Sequence, residues 1–276
     1  MQKLVIFDTE TTGLNEEDRI IQVGAIISEI GNPSYFERAY DELCSVETPI
    51  KIESMAVHGI RQEDIKDKSS FSETKFKKRF DELNSNENYL IAHNLDFDKK
   101  MIEKEGYSNR IEFKLIDTYQ CVKHLYQIGD EINGYKLPNH KLQTFRYMMF
   151  NNLEEEKEAK KYDVEIKAHD AIGDVVILKM FLGKLFLKVK SQYKLKSTKE
   201  VFDKMVELSS LPVEMKIVPF FKKHPNKTVQ EIDKVDPSYI DYFYKQQKEY
   251  KETGDSYFNK DLHFTLEKIV NNRNNN

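Results

Sequence analysis

Leu4, Val5, Ile6 and Phe7 form an unbroken apolar run that ends on Asp8. Such a run, bounded by polar residues and too short for a helix, predicts a strand over residues 3–8 covered on both faces. Apolar stretches over residues 20–28 and 35–43 predict a second and a third strand. Short helical pieces follow at residues 52–57 and 62–65. Phe71, Phe76, Phe80 and Leu83 recur at roughly helical spacing, so residues 71–83 read as an amphipathic helix. Beyond them the period alternates. Strands are predicted over 89–92 and 111–116, and helices over 96–105, 117–127, 141–150 and 170–189. Three strands in succession, then strands alternating with helices, describe an α/β domain with a mixed five-stranded sheet flanked by helices. It should span residues 1–188.

The remainder reads differently. Residues 189–209 are rich in lysine and predict a helical linker. Residues 210–270 predict a small, mostly helical C-terminal domain. Asp236 is placed to cap a helix that starts on Pro237. Val235 and Ile240 have the spacing of a hydrophobic staple, and Tyr239, Phe243 and Tyr244 would be the buried stripe. The asparagine-rich end, 271–276, predicts a disordered tail.

Composition narrows the class. Of 276 residues, 39% are apolar and 33% charged, so a sizeable core lies beneath a heavily solvated surface. The most apolar run, residues 175–189, is broken by Lys179 and Lys184, too short and too charged for a membrane span. The first residues read as a strand and not as a secretion signal. Cys44 and Cys121 are too few for a disulfide framework and lack metal-site spacing. A cytoplasmic protein is expected.

The net charge of −4 argues against a nucleic-acid partner, but its distribution does not. Residues 188–276 carry 17 Lys and Arg against 13 Asp and Glu; the rest carries 26 against 34. An acidic first part suits divalent cations and a basic second part suits phosphates.

Asp8 and Glu10 end the first strand two residues apart, so both side chains point to one face. Two adjacent carboxylates repel each other unless a cation lies between them. A second acidic cluster, His93-Asn94-Leu95-Asp96-Phe97-Asp98, follows a strand and opens a helix. Spacing alone does not choose between Asp96 and Asp98. A third, His169-Asp170-Ala171-Ile172-Gly173-Asp174, opens the most apolar helix. Inside one helix His169 and Asp174 would lie about 140° apart. They converge only if His169 precedes the helix.

Together these residues resemble the DEDDh class of 3′→5′ exonucleases within the ribonuclease-H-like superfamily. Phe7-Asp8-Thr9-Glu10-Thr11-Thr12-Gly13-Leu14 is similar to the first motif of that class. His93-Asn94-x-x-Phe97-Asp98 is similar to the second, and the family pattern selects Asp98. His169-x-x-x-x-Asp174 is similar to the third. The resemblance implies two Mg²⁺ or Mn²⁺ ions held by Asp8, Glu10, Asp98 and Asp174, whose hard oxygens suit such cations. It implies that His169 takes the proton of the attacking water, and that nucleoside 5′-monophosphates leave a 3′ end of single-stranded or 3′-ended nucleic acid, with DNA favoured. Thr11 and Leu14 match positions that touch the terminal nucleotide; His58 and Phe97 are candidates to line the same pocket, the other reading for His58 being packing beneath the sheet edge. Within residues 210–270, the segment 217–232, the helix start Asp236-Pro237-Ser238-Tyr239 and Asp261-Leu262-His263-Phe264-Thr265-Leu266 resemble the C-terminal module of exonuclease-X-like proteins, with Phe221 and Pro225-Asn226 in place of its glycine-bearing positions. There Lys216, Lys222, Lys223 and Lys227 are candidate nucleic-acid contacts beside Phe220 or Phe221 as a stacking surface, the other reading being an aromatic core under solvated lysines.

Rival readings account for less. A haloacid-dehalogenase-like phosphatase also starts with a strand and paired acids, but Glu10 is a poor general acid for it and the later motifs are unexplained. A non-catalytic binding module does not need all five catalytic side chains. A proofreading subunit of a polymerase and an exoribonuclease remain alternatives within the same chemistry.

Overall fold

The computed structural model describes residues 2–274 except 107–109, 168, 219 and 256, and only the backbone of residues 32–38. In chain order the elements begin with β1 (Lys3–Thr11), β2 (Ile20–Glu29) and β3 (Asn32–Leu43). Then come α1 (Ile52–His58), α2 (Gln62–Ile65), α3 (Lys75–Leu83), β4 (Tyr89–Ala92), α4 (Leu95–Lys104), β5 (Lys114–Asp117) and α5 (Thr118–Leu125). A small hairpin, β6 (Glu131–Ile132) and β7 (Tyr135–Lys136), precedes α6 (Leu142–Met149), α7 (Asn152–Ala159), α8 (Ala171–Gln192) and α9 (Thr198–Ser210). The last three are α10 (Val229–Val235), α11 (Pro237–Thr253) and α12 (Lys260–Asn274).

The predicted mixed sheet is present, in the order β3-β2-β1-β4-β5. β1 pairs antiparallel with β2, which pairs antiparallel with β3; β1–β4 and β4–β5 are parallel. The central strand therefore carries Asp8 and Glu10 towards the end where the parallel strands β4 and β5 also finish. Its side chains alternate between two cores, as the pleat requires. Leu4 and Ile6 join Ile172, Val175, Val176 and Phe181 on one face, while Val5 and Phe7 join Phe76, Phe80 and Phe113 on the other. Phe7 stacks on Phe76 with centroids 6.1 Å apart. Burying one such side chain contributes about 1.5–3 kcal/mol. Helix α8 covers β1 and β2 on the first face, which explains why its apolar side is so wide.

The chain divides into two compact units, Met1–Ser210 and Leu211–Asn276. The boundary expected near 188 thus moves to 210, because α9 belongs to the first unit. Its Val201, Phe202, Met205 and Leu208 form an apolar stripe, and Phe202 meets Tyr89 at 5.3 Å. That stripe lies inside a lysine-rich stretch, which made the segment read as a linker.

The second unit has its own core of Val218, Phe221, Val229, Ile232, Ile240, Leu262, Leu266 and Ile269. Pro237 does start α11, but Asp236 makes no side-chain cap. Its carboxylate instead accepts from Lys223 Nζ at 2.6 Å, His224 Nε2 at 2.9 Å and Ser238 Oγ at 2.9 Å. Nor does the staple form: Ile240 is buried and Val235 is 63% exposed. The tail expected from residue 271 is helical through Asn274, while 275–276 lie outside the described residues. Among the described residues no helix is long and apolar enough to cross a membrane.

Candidate functional site

The end of β1 is shaped by the turn that follows it. Thr12 Oγ1 bonds Asp18 Oδ1 at 2.9 Å, the Asn15 amide bonds Asp18 Oδ2 at 2.7 Å, and Lys51 Nζ reaches the same oxygen at 2.6 Å. Gly13 has no room for a side chain, since a Cβ there would lie 2.5 Å from Asp18 Oδ2. This knot closes the turn and leaves Asp8 and Glu10 on its open side. Thr11 is buried and donates its hydroxyl to Gly13 O at 2.7 Å. Leu14 projects outward, 79% exposed.

Helix α8 delivers the third carboxylate. Single ligand oxygens of Asp8, Glu10 and Asp174 all lie within 4.8 Å of one another. Asp98, the buried acid of α4, sits beside them. Its Oδ1 accepts from the Thr9 amide at 3.1 Å and from Thr9 Oγ1 at 2.7 Å. Thr9 lies between Asp8 and Glu10, so these two bonds tie α4 to the acidic strand end. Asp96, the competitor, is exposed.

The electrostatics of the four acids are unfavourable as they stand. Burial lifts Asp8 well above the usual carboxylate range, and repulsion from Asp98, Asp174 and Glu10 adds to it. Burial, then Asp174 and Asp98, lifts Glu10 to about 8. Asp98 rises to about 7, again through burial, although the two bonds from Thr9 oppose the shift. Asp174 also rises to about 7 by burial, opposed by the His169 backbone amide and by Arg146. An all-oxygen set whose members resist ionisation together is the environment that a hard divalent cation relieves. Asp8, Glu10, Asp174 and the neighbouring Asp98 therefore fit a hard divalent cation.

His169 does precede α8, as convergence with Asp174 demands. It is exposed and left-handed, with φ 58°, in the turn before the helix cap Asp170. Desolvation holds the His58 imidazole below its ordinary range, against the Thr11 backbone, which favours the protonated ring, and with the nearby His169 adding to the lowering. His58 Nδ1 accepts from the Ile60 amide at 3.0 Å, and its Nε2 is buried with no partner within bonding geometry. Phe97 is half-buried and packs on the core beneath the sheet. His93 is structural. Its ring bonds Thr118 Oγ1 and His140 O, each at 2.9 Å, and burial pushes it down to about 4.

Several polar residues around the acids carried no functional reading in the sequence. Gln143 of α6 donates to Asp174 Oδ1 at 2.5 Å, and Arg146 one turn later is paired with Glu155 of α7. Gln22 of β2 donates to Asp41 Oδ1 at 2.9 Å and to Asp170 Oδ1 at 2.8 Å, while its Oε1 accepts from the Ala171 amide at 3.2 Å. It thus pins the start of α8 to the sheet. The spacing of Gln143 and Arg146 on one predicted helix was the one available signal; Glu155 offered none.

Lys216, Lys222, Lys223 and Lys227 are all exposed, and Lys223 also pairs with Asp236. Phe221 is core and Phe220 is 47% exposed, so only Phe220 offers a ring face to solvent.

Comparison with known proteins adds independent findings. A family model described as an exonuclease, RNase_T, matches residues 5–182. The chain is 33% identical over 110 residues to DNA polymerase III subunit epsilon of Buchnera aphidicola subsp. Schizaphis graminum, covering 38% of this chain and 45% of that protein. It is 34% identical over 135 residues to the same subunit of Rickettsia conorii, covering 48% and 56%. The chain thus spans about half the length of the curated relatives it matches. The solved structure of E. coli exonuclease I in complex with a dT13 oligonucleotide superposes with TM-score 0.53 at 15% identity, over 70% of this chain and 43% of that one. A zinc-bound E. coli exonuclease I–single-stranded DNA complex gives 0.52 at 19%, over 74% and 42%.

Proposed function

Because this chain belongs to the RNase_T exonuclease family, we propose that it is a two-metal 3′→5′ exonuclease that releases nucleoside 5′-monophosphates from the 3′ end of DNA. The observation that carries this reading is the convergence of Asp8, Glu10 and Asp174, with Asp98 beside them.

In this reading Asp8, Glu10, Asp98 and Asp174 hold the ions. Two divalent ions in such a site stabilise the attacking and leaving oxygens of an in-line phosphodiester displacement. His169, on its exposed turn, accepts the proton of the attacking water; an imidazole changes charge near neutral pH and suits that task. Thr11 keeps the turn in shape through Gly13, and the exposed Leu14 offers an apolar edge to the terminal base. His58 borders the same region and Phe97 supports it from below. Lys216, Lys222, Lys223 and Lys227 are the second unit's candidate phosphate contacts, with Phe220 beside them.

DNA is favoured over RNA because the structural neighbours above are complexes with DNA, and the relatives are subunits of a DNA polymerase. Those same relatives support a second reading, a proofreading subunit. The deciding experiment is digestion of 3′-labelled and 5′-labelled DNA and RNA oligomers with Mg²⁺, Mn²⁺ or EDTA. The proposal expects mononucleotides released from the 3′ label first, on DNA, and none in EDTA. Release from the 5′ label first, or turnover in excess chelator, would overturn it.

A further inference from the structure

We propose that Gln143 is a positioning residue for Asp174, itself held in place by the buried Arg146–Glu155 pair. The proposal rests on the reading of Asp174 as a metal ligand.

The chain of contacts runs across three helices. Glu155 of α7 takes two charge-assisted bonds from Arg146 of α6, Nε to Oε1 at 2.8 Å and Nη2 to Oε2 at 2.5 Å. Both side chains are only 10% exposed. This bidentate geometry fixes the plane of the guanidinium. Its remaining Nη1 donates to Gln143 Oε1 at 3.3 Å, and Gln143 Nε2 donates to Asp174 Oδ1 at 2.5 Å. A guanidinium only donates and an ionised carboxylate only accepts, so the amide between them has one satisfactory orientation. Gln143 cannot flip without losing both partners. One oxygen of Asp174 is thereby pinned, and the rotation of its carboxyl about χ2 is set.

The chemistry of the linker matters as much as its geometry. Arg146 stands behind Gln143 in this relay and favours the ionised form of Asp174, but it does not pair with it. A lysine or arginine at position 143 would form a direct salt bridge and compete with cations. A neutral amide orients the carboxylate and leaves its charge for the ions. Outer partners of metal ligands commonly contribute about 10–100-fold to metal affinity.

The test is Mn²⁺ affinity, read by electron paramagnetic resonance on the full chain, for Gln143→Met, Gln143→Glu, Asp174→Asn and the double variant Gln143→Met/Asp174→Asn. Methionine keeps the packing volume and removes the amide; glutamate keeps the shape and replaces the donor by an acceptor. Both single variants at 143 should bind Mn²⁺ about 10–100-fold more weakly. Their kcat on a short oligomer should fall while KM is held. The double variant should bind no more weakly than Asp174→Asn alone, since the two residues act through one carboxylate. Wild-type affinity in both Gln143 variants, with Asp174→Asn impaired, would overturn the positioning role and leave the metal site standing. Wild-type affinity in Asp174→Asn would remove the metal site and the relay with it.

Discussion

Asp8 on β1 and Gly24 on β2 face each other in the antiparallel ladder, and the start of α8 fills the space that a side chain on Gly24 would need. A Cβ at residue 24 would lie 2.4 Å from both Ala171 C and Ile172 N. Those are backbone atoms and cannot swing aside. The close seat lets the first turn of α8 bring Asp174 down to Asp8. Gly24→Ala should therefore lower stability by about 1–3 kcal/mol, as overpacking does, and weaken Mn²⁺ binding as well. Chemical denaturation and a Mn²⁺ titration check both; weakened stability with unchanged metal affinity would separate the packing from the site.

The raised carboxyl groups give a signed pH dependence. In the unfolded chain the acids ionise near pH 4. In the fold Asp98 and Asp174 sit at about 7 and Glu10 at about 8. Below the unfolded values all are protonated in both states and cost nothing. As pH rises through 4 and on to 8, the unfolded state releases protons that the folded state retains, so metal-free protein loses stability. Its Tm should fall between pH 5 and 8.5, and saturating Mg²⁺ should largely abolish the fall. A metal-free Tm that rises over this range would show that the acids are not held in this unfavourable proximity.

Asp98→Ala should abolish far more activity than Asp96→Ala. Asp98 is buried and tied to Thr9, whereas Asp96 is exposed on the first turn of α4. The loss at Asp98 should exceed the roughly 10–100-fold typical of an outer partner, and that at Asp96 should be small. Equal losses in initial-rate assays would transfer the second motif to the other acid.

His169→Ala should lower single-turnover cleavage by about 10²–10⁴-fold, the usual contribution of a general base. Mn²⁺ affinity should be retained, because the exposed ring stands outside the group of Asp8, Glu10 and Asp174. Unchanged cleavage would assign the proton to another acceptor.

In the second unit, Phe221→Ala should cost about 3–5 kcal/mol, as for other core aromatics. The ring packs on Tyr239 at 5.2 Å and on Phe243 at 4.6 Å. Phe220→Ala should leave Tm nearly unchanged while weakening the binding of single-stranded DNA. Thermal unfolding and fluorescence anisotropy separate the two roles.

How much of this could be read from the chain depends on how local each feature is. The apolar run before Asp8 announces β1, and period two places Glu10 on the same side, because both facts live within eight residues. Asp98 was selected only through a family pattern, since spacing treats it and Asp96 alike; burial against Thr9 separates them in space. Asp236 has the sequence of a cap, but its carboxylate is drawn away by Lys223 and His224 from an earlier loop. The spacing of Gln143 and Arg146 is local, but the partnership of Gln143 with Asp174 is not legible for a similar reason. Its role requires α6 to lie beside α8, and no local pattern encodes that adjacency. The helix of α9 is expected from the sequence, but the lysines around Val201, Phe202, Met205 and Leu208 hide the apolar stripe that joins it to the first unit's core.

The acids that converge at the strand end come from opposite extremes of the first unit: Asp8 from its first strand, and Asp174 from a helix reached only after the five-stranded sheet, the β6–β7 hairpin and α1–α7 have been laid down. Contacts this distant in sequence carry a large loop-closure cost and form late. During synthesis, then, a nascent chain that has not yet exposed α8 has only part of the acidic set and lacks the Asp174 carboxylate. On the proposed function, the ability to hold metal is acquired only when α8 is in place, so chains that stop short of it should be silent as nucleases.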